Sequence, residues 1–176
     1  LPNPADERLV VEAFRLFLTI VENSGMHGVI KLHPSMTDWA GLLSDLIPEK
    51  LSRTVEMSAV SLEEAGIGFG DISIVLNSTA GVDAVGLGSK ILCFKFEGQF
   101  NPFNYTQYGV GKDVYVDRCC VSKVLDEFRQ LQSYSENDFK ENRVRFLNSI
   151  LGTSGQSSVE KISKKILLSI NWDESV

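Results

Sequence analysis

Residues 71–94 read DISIVLNSTAGVDAVGLGSKILCF, and their pattern is that of a strand, a helix and a second strand. Residues 71–76 are rich in β-branched side chains and become apolar on both faces, which favours a strand in a parallel sheet covered by helices. Residues 79–87 predict a helix that ends at Gly88, because glycine accepts the left-handed conformation common after a helix. Residues 90–94 predict the next strand. The stretch is therefore a β-α-β unit.

The same alternation continues on both sides of this unit. On its N-terminal side, the apolar spacing predicts helices over residues 5–22 and 35–46, strands over 28–33 and 54–57, and a short helix starting at the capping box of residues 61–64. On its C-terminal side, the pattern predicts an aromatic loop over residues 95–111, a strand over 113–117, and helices over 122–131, 136–151 and 158–170.

In this order the elements predict a single α/β domain over residues 1–176 with a doubly wound, Rossmann-like parallel sheet. Such a domain begins with a strand in the middle of the sheet, whereas this chain begins with a helix. We therefore expect the first strand of such a domain to be absent from this chain. Three explanations stay open. The chain is a fragment cut after that strand, or an unrelated segment or another copy of the chain fills the gap, or the strands beside the gap pair directly.

The composition is that of a globular domain. The 176 residues are 43% hydrophobic and 23% charged, and the formal net charge is −6 at pH 7. An acidic chain repels a phosphate backbone unless it has a basic patch, and the longest basic cluster, residues 161–165, is short. We therefore expect no nucleic-acid partner. A nucleotide ligand stays compatible with this charge, because one phosphate or diphosphate needs only a few aimed donors.

The chain contains no stretch of membrane-spanning length and no signal-peptide pattern, and its three cysteines show no C-x-x-C spacing. An odd, unpatterned cysteine count is typical of a reducing compartment, so we expect a cytoplasmic protein. We interpret Cys93, Cys119 and Cys120 as small buried hydrophobic residues rather than as metal ligands or redox groups. We expect neither a metal site nor a cofactor.

The first candidate site lies at the end of the strand over residues 28–33, in the sequence KLHP. Pro34 stops the strand and holds His33 extended at the carboxyl edge of the sheet, where open α/β sheets bind ligands. The imidazole of His33 can donate a hydrogen bond to a phosphate oxygen and can be charged when it does so. The alternative is that His33 simply bonds a carbonyl of its own loop.

The second candidate site follows the first strand of the β-α-β unit, in the sequence NSTAGVD. Ser78 and Thr79 fall at the start of the helix, where hydroxyls, N–H groups and the helix dipole can bind an anion. Small Gly81 lets a ligand approach the backbone closely. Asp83 lies one turn further, where its carboxylate could accept from two ribose hydroxyls. The alternatives are structural: a Ser or Thr cap, and an acid favoured by the dipole.

The aromatic loop over residues 95–111 follows a strand at the same sheet edge. We interpret Phe96 as a core residue, together with Phe94 in the strand before it. For Phe103, Tyr105 and Tyr108 two alternatives stay open, namely packing into the core or stacking on a base or a sugar.

In their order along the chain, the segments KLHP, SLEE and NSTAGVDAVGLGSK resemble the C-terminal, donor-binding domain of GT-B-fold glycosyltransferases. The chain looks most like bacterial capsule polysaccharide transferases and polysialyltransferase-like proteins, and it is also similar to the non-hydrolysing sugar-nucleotide 2-epimerases. The resemblance covers residues 28–94 well and residues 155–168 loosely. Two positions depart from the family pattern: Asp83 stands where glutamate is usual, and Gly86 lies inside the helix.

The resemblance implies a donor-binding domain that works in transfer of a sugar from a CMP- or UDP-linked donor during surface polysaccharide synthesis. The implied substrate-binding residues are His33, Pro34, Ser78, Thr79, Gly81 and Asp83. His33, Ser78 and Thr79 would hold the donor phosphate, and Asp83 would meet the ribose. The catalytic base would lie in a missing N-terminal domain, so this chain alone would be inactive. The resemblance leaves open a peripheral attachment of the parent protein to a membrane.

Two other functions remain as alternatives. The chain could be half of a sugar-nucleotide 2-epimerase, which would use the same phosphate pocket but needs acid and base groups across a cleft. It could also be a non-catalytic binding or interaction module.

Overall fold

A computed structural model describes residues 4–32, 38–76, 78–97, 103–118 and 120–151. The strands within these ranges are β1 (Gly28–Lys31), β2 (Val55–Ser58), β3 (Ile72–Leu76), β4 (Lys90–Lys95) and β5 (Gly111–Tyr115). The helices are α1 (Pro4–Ser24), α2 (Trp39–Asp45), α3 (Ala80–Leu87), α4 (Tyr105–Tyr108), α5 (Val121–Gln132) and α6 (Glu136–Leu151), with a 3-10 turn over Glu49–Leu51.

The strands form two parallel sheets. β1 pairs with β2, with Gly28 opposite Val55 and Lys31 opposite Ser58. The second sheet has the order β3-β4-β5, and all of its pairs are parallel. Parallel strands need a crossover connection, which α3 provides between β3 and β4. The α/β class and the β-α-β unit over residues 71–94 are thus confirmed.

Helices cover both faces of the three-stranded sheet, and β4 lies at its centre. Leu92 and Phe94 of β4 pack in one cluster with residues of α1 and α5. Ile91 and Cys93 point to the other face and pack with residues of α3, α4 and α6. All four side chains are at most 1% exposed. This burial explains why the strand is apolar at successive positions. A third cluster packs α1 against α2 and β2.

The strands of both sheets point in the same direction. Gln132, at the end of α5, contacts the sulfur of Met26 at 3.6 Å, just before β1 begins. The neighbouring carbonyl of Leu131 accepts a hydrogen bond of 3.0 Å from Nζ of Lys90, the first residue of β4. The amino ends of β1 and β4 therefore both lie beside the end of α5. The carboxyl ends of the strands consequently share one edge of the molecule.

The predicted loop over residues 95–111 is partly regular, which corrects the sequence-based expectation. It contains the single turn α4, where the Asn104 side chain accepts a hydrogen bond of 2.9 Å from the Gln107 N–H, and Gly109 ends the turn at φ 68°. β5 then begins at Gly111 and not at residue 113. One helical turn is too short to produce a periodic apolar pattern, so the sequence alone gave no signal for it.

The capping box over residues 61–64 forms, but the short helix expected after it does not. The Ser61 N–H donates to a Glu64 carboxylate oxygen at 2.8 Å, and the Glu64 N–H donates to the Ser61 hydroxyl at 3.1 Å. The hydrogen bond from the Ser61 N–H is the main cause of the lowered pKa of Glu64. Residues 62–66 form a turn, because Gly66 adopts φ 74° and ends it immediately.

The cysteine interpretation is confirmed at one position and wrong at another. Cys93 is buried in β4. Cys120 is exposed, because it occupies the position directly before α5 and its side chain faces solvent there. Cys119 and the predicted helix over residues 158–170 lie outside the described residues.

Among the helices that the structure describes, none is both long enough and apolar enough for a membrane crossing. The longest, α1, has 21 residues and carries charged side chains at Arg8, Glu12 and Arg15.

The strands beside the predicted gap do not pair with each other, so that explanation of the missing first strand is wrong. Among the described residues β1 pairs only with β2, and β3 pairs only with β4 and not with β1. A groove of about 550 Å³ separates the two sheets and is lined along its length by both strands. We call it the inter-sheet groove.

Candidate functional site

The start of α3 presents one hydroxyl that the fold does not use for capping. Ser78 lies between β3 and α3, and its Oγ accepts a hydrogen bond of 3.2 Å from the Ala80 N–H. Thr79 precedes α3 directly, yet its side chain makes no capping hydrogen bond and the residue is exposed. Ser78 thus fulfils the capping alternative in part, whereas the Thr79 hydroxyl faces solvent and is available to a ligand.

The backbone donors of the first turn of α3 already have acceptors within the chain. The Gly81 N–H donates to the Ser78 carbonyl at 3.1 Å, and the Val82 N–H donates to the Thr79 carbonyl at 2.9 Å. The helix dipole still favours an anion at this end. An anion at this end would receive its hydrogen bonds mainly from side chains, because these N–H groups already donate to acceptors within the chain.

Asp83 lies in the first turn of α3 and is exposed. It follows Thr79 by one helical turn, and its own N–H lies 3.4 Å from the Thr79 carbonyl. The two side chains therefore lie on the same side of the helix. A hydroxyl and a carboxylate one turn apart provide one donor and several acceptors, a combination that suits a hydroxylated, phosphorylated ligand.

Gly81 has a packing role that the sequence did not reveal. It is buried, and a Cβ at this position would overlap the Tyr105 hydroxyl and lie 3.0 Å from Tyr105 Cζ and 3.3 Å from Val75 Cγ2. Tyr105 is fully buried. Glycine is therefore required here so that the tyrosine ring can pack beneath the first turn of α3.

The Tyr105 hydroxyl is buried and has no hydrogen-bond partner among the described residues. Burial, reinforced by the nearby groups of Cys93, Asp113 and Asp83, raises the pKa of this phenol. The phenol thus stays neutral under ordinary conditions and does not act as a base. The ring stacks near Phe146 at a centroid distance of 5.4 Å, which is a core arrangement.

The other described aromatic residues of the segment over 94–108 also belong to the core. Phe94 and Phe96 are buried, as the sequence predicted. Phe103 and Tyr108 are partly buried and pack against the same cluster as Tyr105. The core alternative is therefore the one that the structure favours for all five.

A charged pair that no sequence pattern indicated lies beside this cluster and holds α4 in place. Lys95 Nζ lies 3.0 Å from Asp113 Oδ1, and the two side chains are 14% and 10% exposed. The Thr106 N–H donates to the other Asp113 oxygen at 3.1 Å, while the Thr106 hydroxyl accepts from the Asp113 N–H at 2.8 Å. These hydrogen bonds join α4 to β5. Their only signal in the sequence was a lysine at the end of an apolar strand.

Lys31 adds a positive charge at the carboxyl end of β1, and the sequence analysis did not single it out. It is exposed, and its Nζ donates to the Val60 carbonyl. Its charge also contributes to the lowered pKa of Glu64, after the hydrogen bonds from Ser61. A cation at this edge is the type of group that an anionic ligand needs.

Described residues of the two candidate segments line the inter-sheet groove together. Leu32, which precedes His33, lines the groove together with Ser78 and Ala80 at the start of α3. His33 and Pro34 themselves lie outside the described residues, as does Asn77. Because the strands point in the same direction, the end of β1 and the end of β3 meet at the carboxyl edge. Within the described residues, no three His, Cys, Asp or Glu side chains cluster in a way that could hold a metal ion.

The sequence matches no protein-family model, no curated protein and no solved structure.

Proposed function

We propose that the domain binds a nucleotide-activated sugar at the carboxyl edge of its strands, as the donor-binding domain of a glycosyltransferase in surface polysaccharide synthesis. The observation that carries this proposal is the shared groove, which Leu32 at the end of β1 and Ser78 before α3 both line. Open α/β sheets bind their ligands at this edge.

The proposed contacts follow the chemistry of each side chain. The exposed Thr79 hydroxyl and the Lys31 ammonium supply a donor and a positive charge for a phosphate. By the motif resemblance, His33 would add a third donor. During transfer the leaving nucleotide gains negative charge on its phosphate, and these groups would stabilise it. Asp83 would accept from the ribose hydroxyls.

The proposal also includes a doubly wound arrangement of the strands. A doubly wound sheet with the order β2-β1-gap-β3-β4-β5 accounts for the two observed sheets and for the groove between them. In this arrangement the ligand edge lies where the strand order reverses. The proposal also expects that an N-terminal domain supplies the base that activates the acceptor, so the chain alone binds nucleotide weakly and transfers no sugar.

Binding measurements with CMP, UDP and GDP test the proposal. We expect saturable binding of one of these nucleotides by calorimetry, with Thr79→Val and His33→Ala each weakening it by about tenfold, the cost of one hydrogen bond to a charged group. Thr19→Val and His27→Ala are matched controls, because Thr19 lies on α1 and exposed His27 lies at the opposite edge, before β1. The nucleotide affinity of Asp83→Asn is compared with that of Asp126→Asn, a matched control on α5.

Each negative result has a defined meaning. Unchanged affinity in both Thr79→Val and His33→Ala would place the site elsewhere. If none of the three nucleotides binds and His33→Ala changes no measured property, the result contradicts the proposal and favours the alternative of a non-catalytic module. Formation of a 2-epimer from UDP-N-acetylglucosamine would instead establish the epimerase alternative, and sugar transfer by the chain alone would contradict the two-domain expectation.

A further inference from the structure

The inter-sheet groove has the form of a vacant strand position. β1 lines one wall and β3 lines the other, over their full lengths, from His27 and Asp71 at one end to Leu32 and Leu76 at the other. A ligand pocket of similar volume would open at the rim of the sheet, whereas this groove runs through its middle. Two strand edges thus face each other across an open channel.

The backbone groups on these two edges lack ladder partners. Among the described residues, β1 bonds to β2 on its outer side only, and β3 bonds to β4 on its outer side only. The groove-facing N–H and C=O groups of both strands are therefore left without a sheet neighbour. Unpaired edges of this kind are costly when buried, and they act as templates for another strand.

Side-chain burial supports the same interpretation. In β4, which has neighbours on both sides, Ile91, Leu92 and Cys93 are completely buried. In β3, by contrast, Ile72 and Ile74 remain partly exposed, although a helix layer covers each face of this sheet. Ile72 and Ile74 beside the groove are thus incompletely covered. This is the exposure expected where one element of the core is missing.

The walls of the groove define the chemistry of the missing element. Phe14 and Phe17 of α1 line one side, and Ala80 and Ala84 of α3 line the groove as well. An occupant would meet apolar side chains on both of its faces, so it must be an apolar strand without the usual polar alternation. Four or five residues in extended conformation match the length of β1 and β3.

The path of α1 indicates where such a strand connects. α1 has 21 residues and joins β1 through residues 25–27, so its first turn lies towards the carboxyl edge of β1. A strand that ends at this edge and runs directly into α1 would be parallel to β1 and to β3. Its crossover through α1 to β1 would also have the same hand as the crossover from β1 through α2 to β2, because α1 and α2 pack together in one cluster.

We propose that the inter-sheet groove is the seat of a sixth strand, apolar on both faces and parallel to β1 and β3, that enters α1 from its N-terminal side. It joins the two sheets into one continuous six-stranded sheet. This inference does not depend on the proposed function, since it concerns the interior of the sheet and not the ligand edge.

An N-terminal extension tests the inference on the full 176-residue chain. One version carries a short Val/Ile-rich sequence joined to Leu1, and its control carries a Gly/Ser sequence of equal length. We expect the apolar extension to raise the Tm by about 5 °C or more and the Gly/Ser extension to leave it unchanged. Amide hydrogen exchange at Val29, Lys31, Ile72 and Ile74, whose N–H groups point away from β2 and β4, should slow by about tenfold or more only with the apolar extension. If the extended chain aggregates, the two extension sequences are made as separate peptides with flanking lysines and added to the unextended chain. The same Tm and exchange measurements are then compared.

Three results would overturn the inference. In the first, both extensions give the same Tm and the same exchange rates. In the second, the unextended chain forms a dimer in light scattering and its β1 and β3 amides are protected only in the dimer, so that another copy fills the groove. In the third, removal of residues 152–176 exposes these amides, so that the chain's own C-terminal segment is the occupant.

Discussion

The Tyr105 hydroxyl lies directly beneath the α-carbon of Gly81, in the space that a side chain at that position would occupy. Tyr105 belongs to α4 and Gly81 to the first turn of α3, so this contact positions the candidate ligand edge over the aromatic core. The hydroxyl has no partner among the described residues. The contact is therefore steric, and the predictions for it concern packing.

Gly81→Ala should destabilise the protein by about 1–3 kcal/mol, because the new methyl group forces the Tyr105 ring to move. Tyr105→Phe alone should be close to neutral, since it removes a buried hydroxyl that has no partner. Combined with Gly81→Ala, it should recover part of the lost stability. Urea unfolding of the two single variants and the double variant measures this coupling.

Gly86→Ala is the matched control, since it lies in the same helix and an added Cβ would meet no atom within 4 Å. We expect it to stabilise the protein by up to about 1 kcal/mol through helix propensity. The open space at Gly86 also shows that the glycine there does not serve close packing. Equal destabilisation by Gly81→Ala and Gly86→Ala would contradict the steric account.

Arg143 should be a principal link between α6 and α3. Its Nε donates to the Val85 carbonyl at 2.7 Å, its terminal nitrogen donates to the Gly86 carbonyl, and the guanidinium lies 5.6 Å from the centre of the Phe69 ring. Burial lowers the pKa of Arg143. Arg143→Met removes both of these hydrogen bonds. The Gly86 carbonyl then loses its Arg143 donor, whereas the Val85 carbonyl keeps the Gly88 N–H at 3.0 Å, and we expect a loss of about 1–2 kcal/mol in thermal or urea unfolding.

The control for Arg143 is Arg145→Met, two residues further along α6 and exposed. Its effect should stay within about 0.5 kcal/mol, as for most surface substitutions. A loss of equal size in both variants would mean that the bonds to α3 contribute nothing specific.

Glu127 should make stability depend on pH in the acidic range. Its carboxylate on α5 pairs with Lys123 and with Lys112 of β5, the latter at 3.2 Å, and the hydrogen bond from Lys123 is the main cause of its lowered pKa. An acid with a depressed pKa in the folded state stabilises the fold above its unfolded value of 4.5, and this contribution disappears as the pH falls through the folded pKa. Glu127→Gln should therefore cost about 1 kcal/mol at pH 7.

The pH profile separates this effect from a packing defect. In urea unfolding, the difference between Glu127→Gln and the unmodified chain should shrink towards zero well below pH 4.5, whereas a packing defect would persist. Asp126→Asn, an exposed neighbour paired with Arg129, should show little effect at either pH.

Cys120 should react with thiol reagents in the folded protein, whereas Cys93 should not. Cys120 is exposed before α5, and a hydrogen bond with Ser122, at 3.0 Å between Sγ and Oγ, is the main cause of its lowered pKa. In a Cys119→Ser background, an aromatic disulfide reagent should modify one thiol before unfolding and the second only after it. Ser122→Ala should slow the first reaction, while Ser133→Ala should leave it unchanged. Rapid labelling of both thiols in the folded state would contradict the burial of Cys93.

Local sequence patterns determined most of the secondary structure of this protein. The β-branched run of β3, the helix that ends at Gly88 and the apolar run of β4 were all predictable, because each depends on side chains close together in the chain. Gly88 adopts φ 103°, the conformation for which glycine is favoured after a helix. The reciprocal bonds of Ser61 and Glu64 were predictable for the same reason, although the helix after them was not.

The tertiary structure decided the features that join distant segments. The sequence placed Gly81 beside a ligand, whereas the fold places Tyr105, 24 positions away, against it. Likewise, the sequence left open whether β1 and β3 pair, and only the fold separates them by a groove. Local patterns report the propensity of a segment, whereas contacts between distant segments depend on how the whole chain excludes water from its core.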